Sequence, residues 1–113
     1  MTPGMVRLTV SLDAASRRSA QDLLDAFRFL IPAIKLEPGC LGCSVWKDPG
    51  LSVHYTEEWT SEAAMRERVR SQSFTLVVAI LESVPRPRVQ FDFVTSTRGL
   101  DYLAEVRGPI SGM

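Results

Sequence analysis

The chain has 113 residues, 45% apolar and 23% charged, the size and composition of one ordinary globular domain. Thirteen basic residues offset thirteen acidic ones, so no net field recruits nucleic acid or an anionic membrane surface. Two cysteines make no disulfide framework, no apolar run approaches the roughly 20 residues of a membrane helix, and the N-terminus lacks the pattern of a signal peptide, so a reducing, cytoplasmic setting is expected.

Residues 5–12, MVRLTVSL, alternate. Val6, Leu8, Val10 and Leu12 point one way, Arg7, Thr9 and Ser11 the other, which predicts a half-buried strand. From 16 to 36 the spacing becomes helical, with Ala20, Leu23, Leu24, Phe27, Leu30, Ile31 and Ile34 on one face. Ser16 or Ser19 can cap this helix. Pro32 cannot donate to it and predicts a kink or a break, and Glu37-Pro38-Gly39 ends the element.

Residues 40–47 and 51–59 read as two strands joined by Asp48-Pro49-Gly50, in which Pro fixes φ and Gly permits positive φ. In the second strand Val53, Tyr55, Glu57 and Trp59 share one face, and Ser52, His54, Thr56 and Glu58 the other. Residues 61–84 return to helix in two segments. Ala64, Met65, Arg68 and Val69 belong to the first, which Ser61 can cap. Phe74, Val77, Val78, Leu81 and Val84 make the apolar face of the second, which Pro85 and Pro87 stop. Residues 88–96 alternate again, with Val89, Phe91 and Phe93 on one side. The core of the single domain, 1–113, is therefore expected at about 5–97. The tail, 98–113, carries Leu100, Tyr102, Leu103 and Val106 and is expected to pack, one option being over a partner subunit.

The order β-α-β-β-α-β predicts an α+β, ferredoxin-like domain: an antiparallel sheet with its helices on one face. The other face, with Trp46 and Val94 beside Arg7, His54, Glu58 and Asp92, has nothing in the chain to cover it. A mixed face of this kind suits a second sheet, which predicts a homodimer.

Glu37-Pro38-Gly39-Cys40-Leu41-Gly42, then Glu57-Glu58-Trp59, Ser61-Glu62-Ala63-Ala64 and Ser71-Gln72-Ser73-Phe74 together resemble the antibiotic-biosynthesis monooxygenase family. The resemblance implies a dimeric α/β barrel. It also implies one of the family's activities: oxidation of polyketide-like aromatics to quinones, action on quinols, or haem degradation. Oxygenases of the first kind use neither metal nor flavin. The deprotonated substrate itself reduces oxygen, and the protein supplies an apolar slot, a proton acceptor and a stabiliser for the anion. The haem-degrading branch uses a tryptophan at the end of the third strand, which Trp59 matches. It also uses an asparagine in the first strand and a histidine on the last helix, where Val6 and Val78 stand, so haem degradation is not expected. Ser73 replaces a histidine frequent in the family before the phenylalanine.

The expectation is thus a cofactor-independent monooxygenase of a phenolic, quinol or polyketide-like small aromatic substrate. The alternative is a non-catalytic dimeric binder or stress-related protein of the same fold. The substrate is expected between helices and sheet, against Phe27, Ile31, Phe74 and Val78. Trp59 is read as a core anchor or the wall of that pocket. Tyr55 and Glu57 share its stripe and are candidates for the proton. Glu57 needs a partner there, so a salt bridge to a helix arginine such as Arg66 or Arg70 is the plainer reading. His54, the only histidine, is either a general base or a satisfied interface residue. Trp46 is assigned to the dimer interface. Arg66, Arg68 and Arg70 read as a solvated face or a steering patch for an anionic substrate. Cys40 and Cys43 spell CxxC but enter a strand, where positions three apart face opposite ways, so no metal or redox site is expected.

Overall fold

Each alternating segment becomes a strand and each helical one a helix. The computed structural model describes residues 4–94 and 100–108, the stretch 100–103 by its backbone only. The elements are β1 (Met5–Asp13), α1 (Arg17–Lys35), β2 (Cys40–Lys47), β3 (Ser52–Trp59), α2 (Glu62–Arg70), α3 (Phe74–Glu82), β4 (Arg88–Val94) and α4 (Leu100–Arg107). The strands form one antiparallel sheet in the order β2-β3-β1-β4, the ferredoxin-like arrangement. The sheet is open, with β2 and β4 at its edges. Among the described residues no helix is long and apolar enough to cross a membrane.

Pairing of Val6 with Trp59, Leu8 with Glu57 and Val10 with Tyr55 lines the inward residues of β1 and β3 into one surface beneath the helices. Val6, Leu8, Val10, Leu12, Val53 and Phe27 are all inaccessible there and form the centre of the core. Ser16 is the cap of α1, its hydroxyl accepting from the Ser19 amide, and Ser61 caps α2 in the same way from the Ala64 amide.

Three local expectations are corrected. First, α1 does not break at Pro32 but runs through it to Lys35. Pro32 and Arg28 are exposed, so the Arg28 carbonyl that loses its helical donor can turn to water. Second, the β2–β3 turn makes no use of positive φ at Gly50: among the described residues the positive-φ glycines are Gly39 and Gly108. The Asp48 side chain closes the turn instead, accepting from the Gly50 amide at 2.9 Å. Gly39, at φ 87, is the glycine that the chain reversal before β2 requires, with Ala64 packed 3.0 Å from where a Cβ would stand.

Third, β2 carries a bulge between Cys40 and Gly42. The bulge shifts the alternation by one, so Cys40 opposite Trp59 and Cys43 opposite Glu57 lie on the same, helix-covered side of the sheet. Val89, Phe91 and Phe93 share one side as expected; it is the helix side, where they pair with Val10, Leu8 and Val6, yet they remain exposed, Phe93 by 59%. α1 lies over β2 and β3, and α2 over β1 and β3, leaving the edge strand β4 largely uncovered.

The opposite face of the sheet is polar and open. Arg7 pairs with Glu58 at 3.0 Å, Ser44 with Thr56, and Trp46 stands 46% exposed on β2. The β4 expectation to residue 96 and much of the tail expectation lie outside the described residues.

Candidate functional site

The inward stripe of β3 places Tyr55, Glu57 and Trp59 side by side, because alternate residues of a strand share a face. All three are buried. The carboxylate of Glu57 is the centre of the group. Arg68, projecting down from α2, grips it with both arms of the guanidinium: Nε donates to Oε1 and Nη2 to Oε2, each at 3.0 Å. The Trp59 indole N–H donates to Oε1 at 2.9 Å, and the Tyr55 hydroxyl donates to Oε2 at 2.5 Å. A carboxylate offers about four acceptor positions, so all of them are filled.

The partners are themselves held. The remaining arm of Arg68, Nη1, donates to the Ser73 hydroxyl at 2.7 Å and to Glu37 Oε2 at 3.4 Å. Its guanidinium lies 5.0 Å over the Phe74 ring. The Cys43 thiol donates to the Tyr55 hydroxyl oxygen at 3.3 Å, and the Phe27 ring of α1 stacks on the Tyr55 ring, centroids 4.3 Å apart at 15°. Burial lowers the proton affinity of Arg68, but the hydrogen bonds and charge of Glu57, with Glu37 behind, outweigh it and leave Arg68 more firmly protonated than usual. Burial, then the charge of Glu57, pushes the Tyr55 phenol above the ordinary tyrosine range, so it is a donor and not a base. Burial likewise pushes the Cys43 thiol up to about 11.

The stripe thus brings together Trp59, Tyr55 and Glu57, with Phe27 and Phe74 around them. Ile31 is half-buried, packed against the core. Val78 is elsewhere: it is 37% exposed, and Val77 points inward in its place. The apolar row of α3 runs Phe74–Val77 at i, i+3, and taking i+4 selects the wrong neighbour. His54 lies on the opposite face of the sheet, where Ser11 Oγ meets Nδ1 and Asp48 Oδ2 meets Nε2, both at 3.0 Å, with Trp46 tilted against the ring. The hydrogen bond from His54 holds the Asp48 carboxyl below its usual range. His54 is therefore not brought to the Tyr55–Glu57 group.

Two arginine expectations change. Glu57 is paired by Arg68, not Arg66 or Arg70, and Arg68 is fully buried instead of solvated. Arg66 is spent on Glu62, four residues before it on the exposed face of α2.

A second feature was not foreseen from sequence. Between α1 and α3, at the end of the sheet away from Trp59, lies a cleft of about 600 Å³. Leu23 and Ala26 line it from α1, Ala79 and Ile80 from α3, and Val84 and Pro85 close it from below, with Asp13, Ser19, Asp22 and Ser83 among its polar lining. The one signal for it in the sequence is the small size of Ala26 and Ala79, which leaves room between facing helices.

The family model described as antibiotic biosynthesis monooxygenase matches residues 5–79, two-thirds of the chain, and the chain belongs to that family. Solved structures agree in fold. A candidate antibiotic biosynthesis monooxygenase from Deinococcus radiodurans matches with TM-score 0.72 at 21% identity, over 83% of this chain and 96% of that one. A second such candidate, from Caulobacter crescentus, matches with TM-score 0.69 at 18% identity, over 86% and 93%. A conserved protein of unknown function from Bacteroides thetaiotaomicron matches with TM-score 0.72 at 15% identity, over 81% and 99%. No curated protein matches the chain.

The buried pair yields two predictions. Arg68→Met strands the Glu57 charge in the core and is expected to destabilise the fold by about 3–5 kcal/mol in urea unfolding. Adding Glu57→Leu to it should restore much of that loss. A single variant as stable as the parent would show that the pair does not hold α2 to the sheet. The second concerns alkali. The folded Cys43 thiol titrates at about 11 against an ordinary 9.0, so the unfolded chain gives up this proton first. Stability from this group is complete below pH 9.0 and is lost as the pH rises toward about 11. Cys43→Ala should flatten that part of the stability curve, and a slope unchanged by the substitution would assign the alkaline loss elsewhere.

Proposed function

We propose that the chain is a cytoplasmic, homodimeric oxygenase of phenolic, quinol-like or polyketide-like aromatic substrates that works without metal or flavin. Family membership supports the reaction class. One observation supports the place: the Phe27 ring lies parallel on the Tyr55 ring, inside the core and next to the only fully buried ion pair among the described residues. A planar substrate would take the position of Phe27 when that ring swings aside, with Trp59 as wall and Ile31 and Phe74 at its edges. Neither Val78 nor His54 has a part in this slot.

Tyr55 is the first group such a substrate would meet. As a phenol held protonated, it is suited to donate to the oxygen on which negative charge develops. Turning Tyr55 toward the substrate releases one acceptor position on Glu57 Oε2, and that oxygen then takes the substrate's proton directly. Arg68 holds the carboxylate in place for this. The resulting electron-rich phenolate reduces oxygen.

A binder without turnover is favoured by a different observation. The acceptor positions of Glu57 are all filled, and no buried side-chain polar atom among the described residues lacks a partner. A network so complete suits a fixed framework as well as a reactive one.

Oxygen uptake by metal-stripped, flavin-free protein with naphthols, anthrones and reduced quinones separates the two. Uptake is expected to track protein concentration and to fall about 100-fold in Tyr55→Phe, which removes the donor but keeps the ring. Bound ligand without uptake would establish the binder. The dimer is expected to form through the open sheet face bearing Arg7, Trp46, His54 and Glu58, and light scattering at micromolar concentration reads it directly. A monomer there would remove the homodimer from the proposal.

A further inference from the structure

The α1–α3 cleft lies apart from the Tyr55–Glu57 stripe and has a chemistry of its own. Its size falls in the range of small-molecule sites, about 300–1,000 Å³. The walls are aliphatic: Leu23, Ala26, Ala79, Ile80, Val84 and Pro85. An apolar body is what such walls accept, since the gain comes from surface removed from water.

The polar lining decides what the ligand carries at its end. It consists of two carboxylates and two hydroxyls, with no basic side chain among them. Three of the four are already engaged. Asp13 takes both arms of Arg88, at 2.7 and 3.2 Å, and the Ser52 hydroxyl at 2.6 Å; these bonds lower its pKa to about 2. They also use up Arg88, the cation that reaches this rim. The Ser19 hydroxyl shares a hydrogen bond with Ser16, and the Ser83 hydroxyl donates to the Ile80 carbonyl at 2.6 Å. Asp22 alone makes no hydrogen bond or ion pair with any described residue. It stands on α1 one residue before Leu23 and four before Ala26, at the lip of the apolar wall.

We infer that the α1–α3 cleft binds an apolar molecule that presents a hydrogen-bond-donating end, a hydroxyl or an ammonium, to Asp22. An acid of the same size is disfavoured: its carboxylate would meet Asp22 with like charge, and among the described residues no basic side chain lines the cleft. The inference stands whether or not the chain turns over a substrate, because it concerns binding alone.

The test uses three probes that share one ring system, 2-naphthol, 2-naphthylmethylamine and 2-naphthoate, titrated into the full chain under nitrogen. Binding is followed by amide chemical shifts. The naphthol and the amine are expected to move the amides of Leu23, Ala26, Ala79 and Ile80, and the naphthoate to bind about tenfold more weakly or not at all. Asp22→Asn should bring the three probes together, and Ala79→Trp, which fills the cleft from an exposed helix position, should abolish binding of all three. Should Ala79→Trp fail to fold, Ala26→Leu narrows the same space from α1. Shifts confined to Tyr55 and Trp59 with none at Leu23, Ala26, Ala79 and Ile80, equal binding of naphthoate at those four amides, or a preference there unchanged in Asp22→Asn would each overturn the assignment. Because oxygen is absent, a failure here is separate from a failure of the oxygenase reading.

Discussion

The bidentate pair between Glu57 and Arg68 is the constraint around which the rest of the inward face is arranged. A carboxylate at the centre of an otherwise apolar strand face would be untenable alone. Arg68 answers it from α2, and in doing so fixes where α2 sits on the sheet. Its spare arm reaches Ser73 and Glu37, so one guanidinium ties together β3, the α2–α3 junction and the chain reversal after α1. The break between α2 and α3 falls at Ser71–Ser73, and Ser71 bonds back to the Arg68 carbonyl there. The local chain ending and the tertiary pair are thus parts of one arrangement. Buried pairs of this kind contribute little net stability over apolar substitutes.

That same pair shapes the chemistry available. The hydrogen bonds and charge of Glu57 keep Arg68 firmly protonated against its burial, and burial, followed by the same charge, keeps Tyr55 a neutral phenol. Two ionisable groups are set by one geometry. The mutual saturation explains how so polar a cluster can sit beneath Phe27 and Phe74 with no solvent in contact.

Most of the fold is legible in the sequence, for a plain reason. Periods of two in β1, β3 and β4 and of 3.6 in α1 are imposed by burial on one side, and burial is what a residue pattern records. The antiparallel order then follows from the short connections. What escapes is whatever depends on two elements at once. Arg68 stands in the same helical row as Ala64 and Met65, and that row is the inward one. A cation read by its type looks solvated, whereas its position says buried. Likewise the CxxC spacing hides the bulge that brings Cys40 and Cys43 to one face, because nothing in those four residues records the register of β3. Val77 and Val78 both lie within the apolar run of α3, and only packing distinguishes them. The α1–α3 cleft is legible least of all, since a gap between helices is set by what two distant alanines fail to fill.

Pro32 has a consequence for how α1 can move. With no amide hydrogen at 32, the turn between Arg28 and Pro32 carries one backbone bond fewer than any other interior turn of the helix. Bending concentrates where bonds are missing, so α1 behaves as two levers joined next to Phe27, the residue that covers Tyr55. The N-terminal lever, anchored by the Ser16 cap and by Ala20 and Leu24 in the core, carries Phe27 near its end; the C-terminal lever is anchored by Ile34. Flexure at this one weak turn shifts the C-terminal lever against the one that carries Phe27. The proline that would ordinarily be counted against the helix gives it a joint.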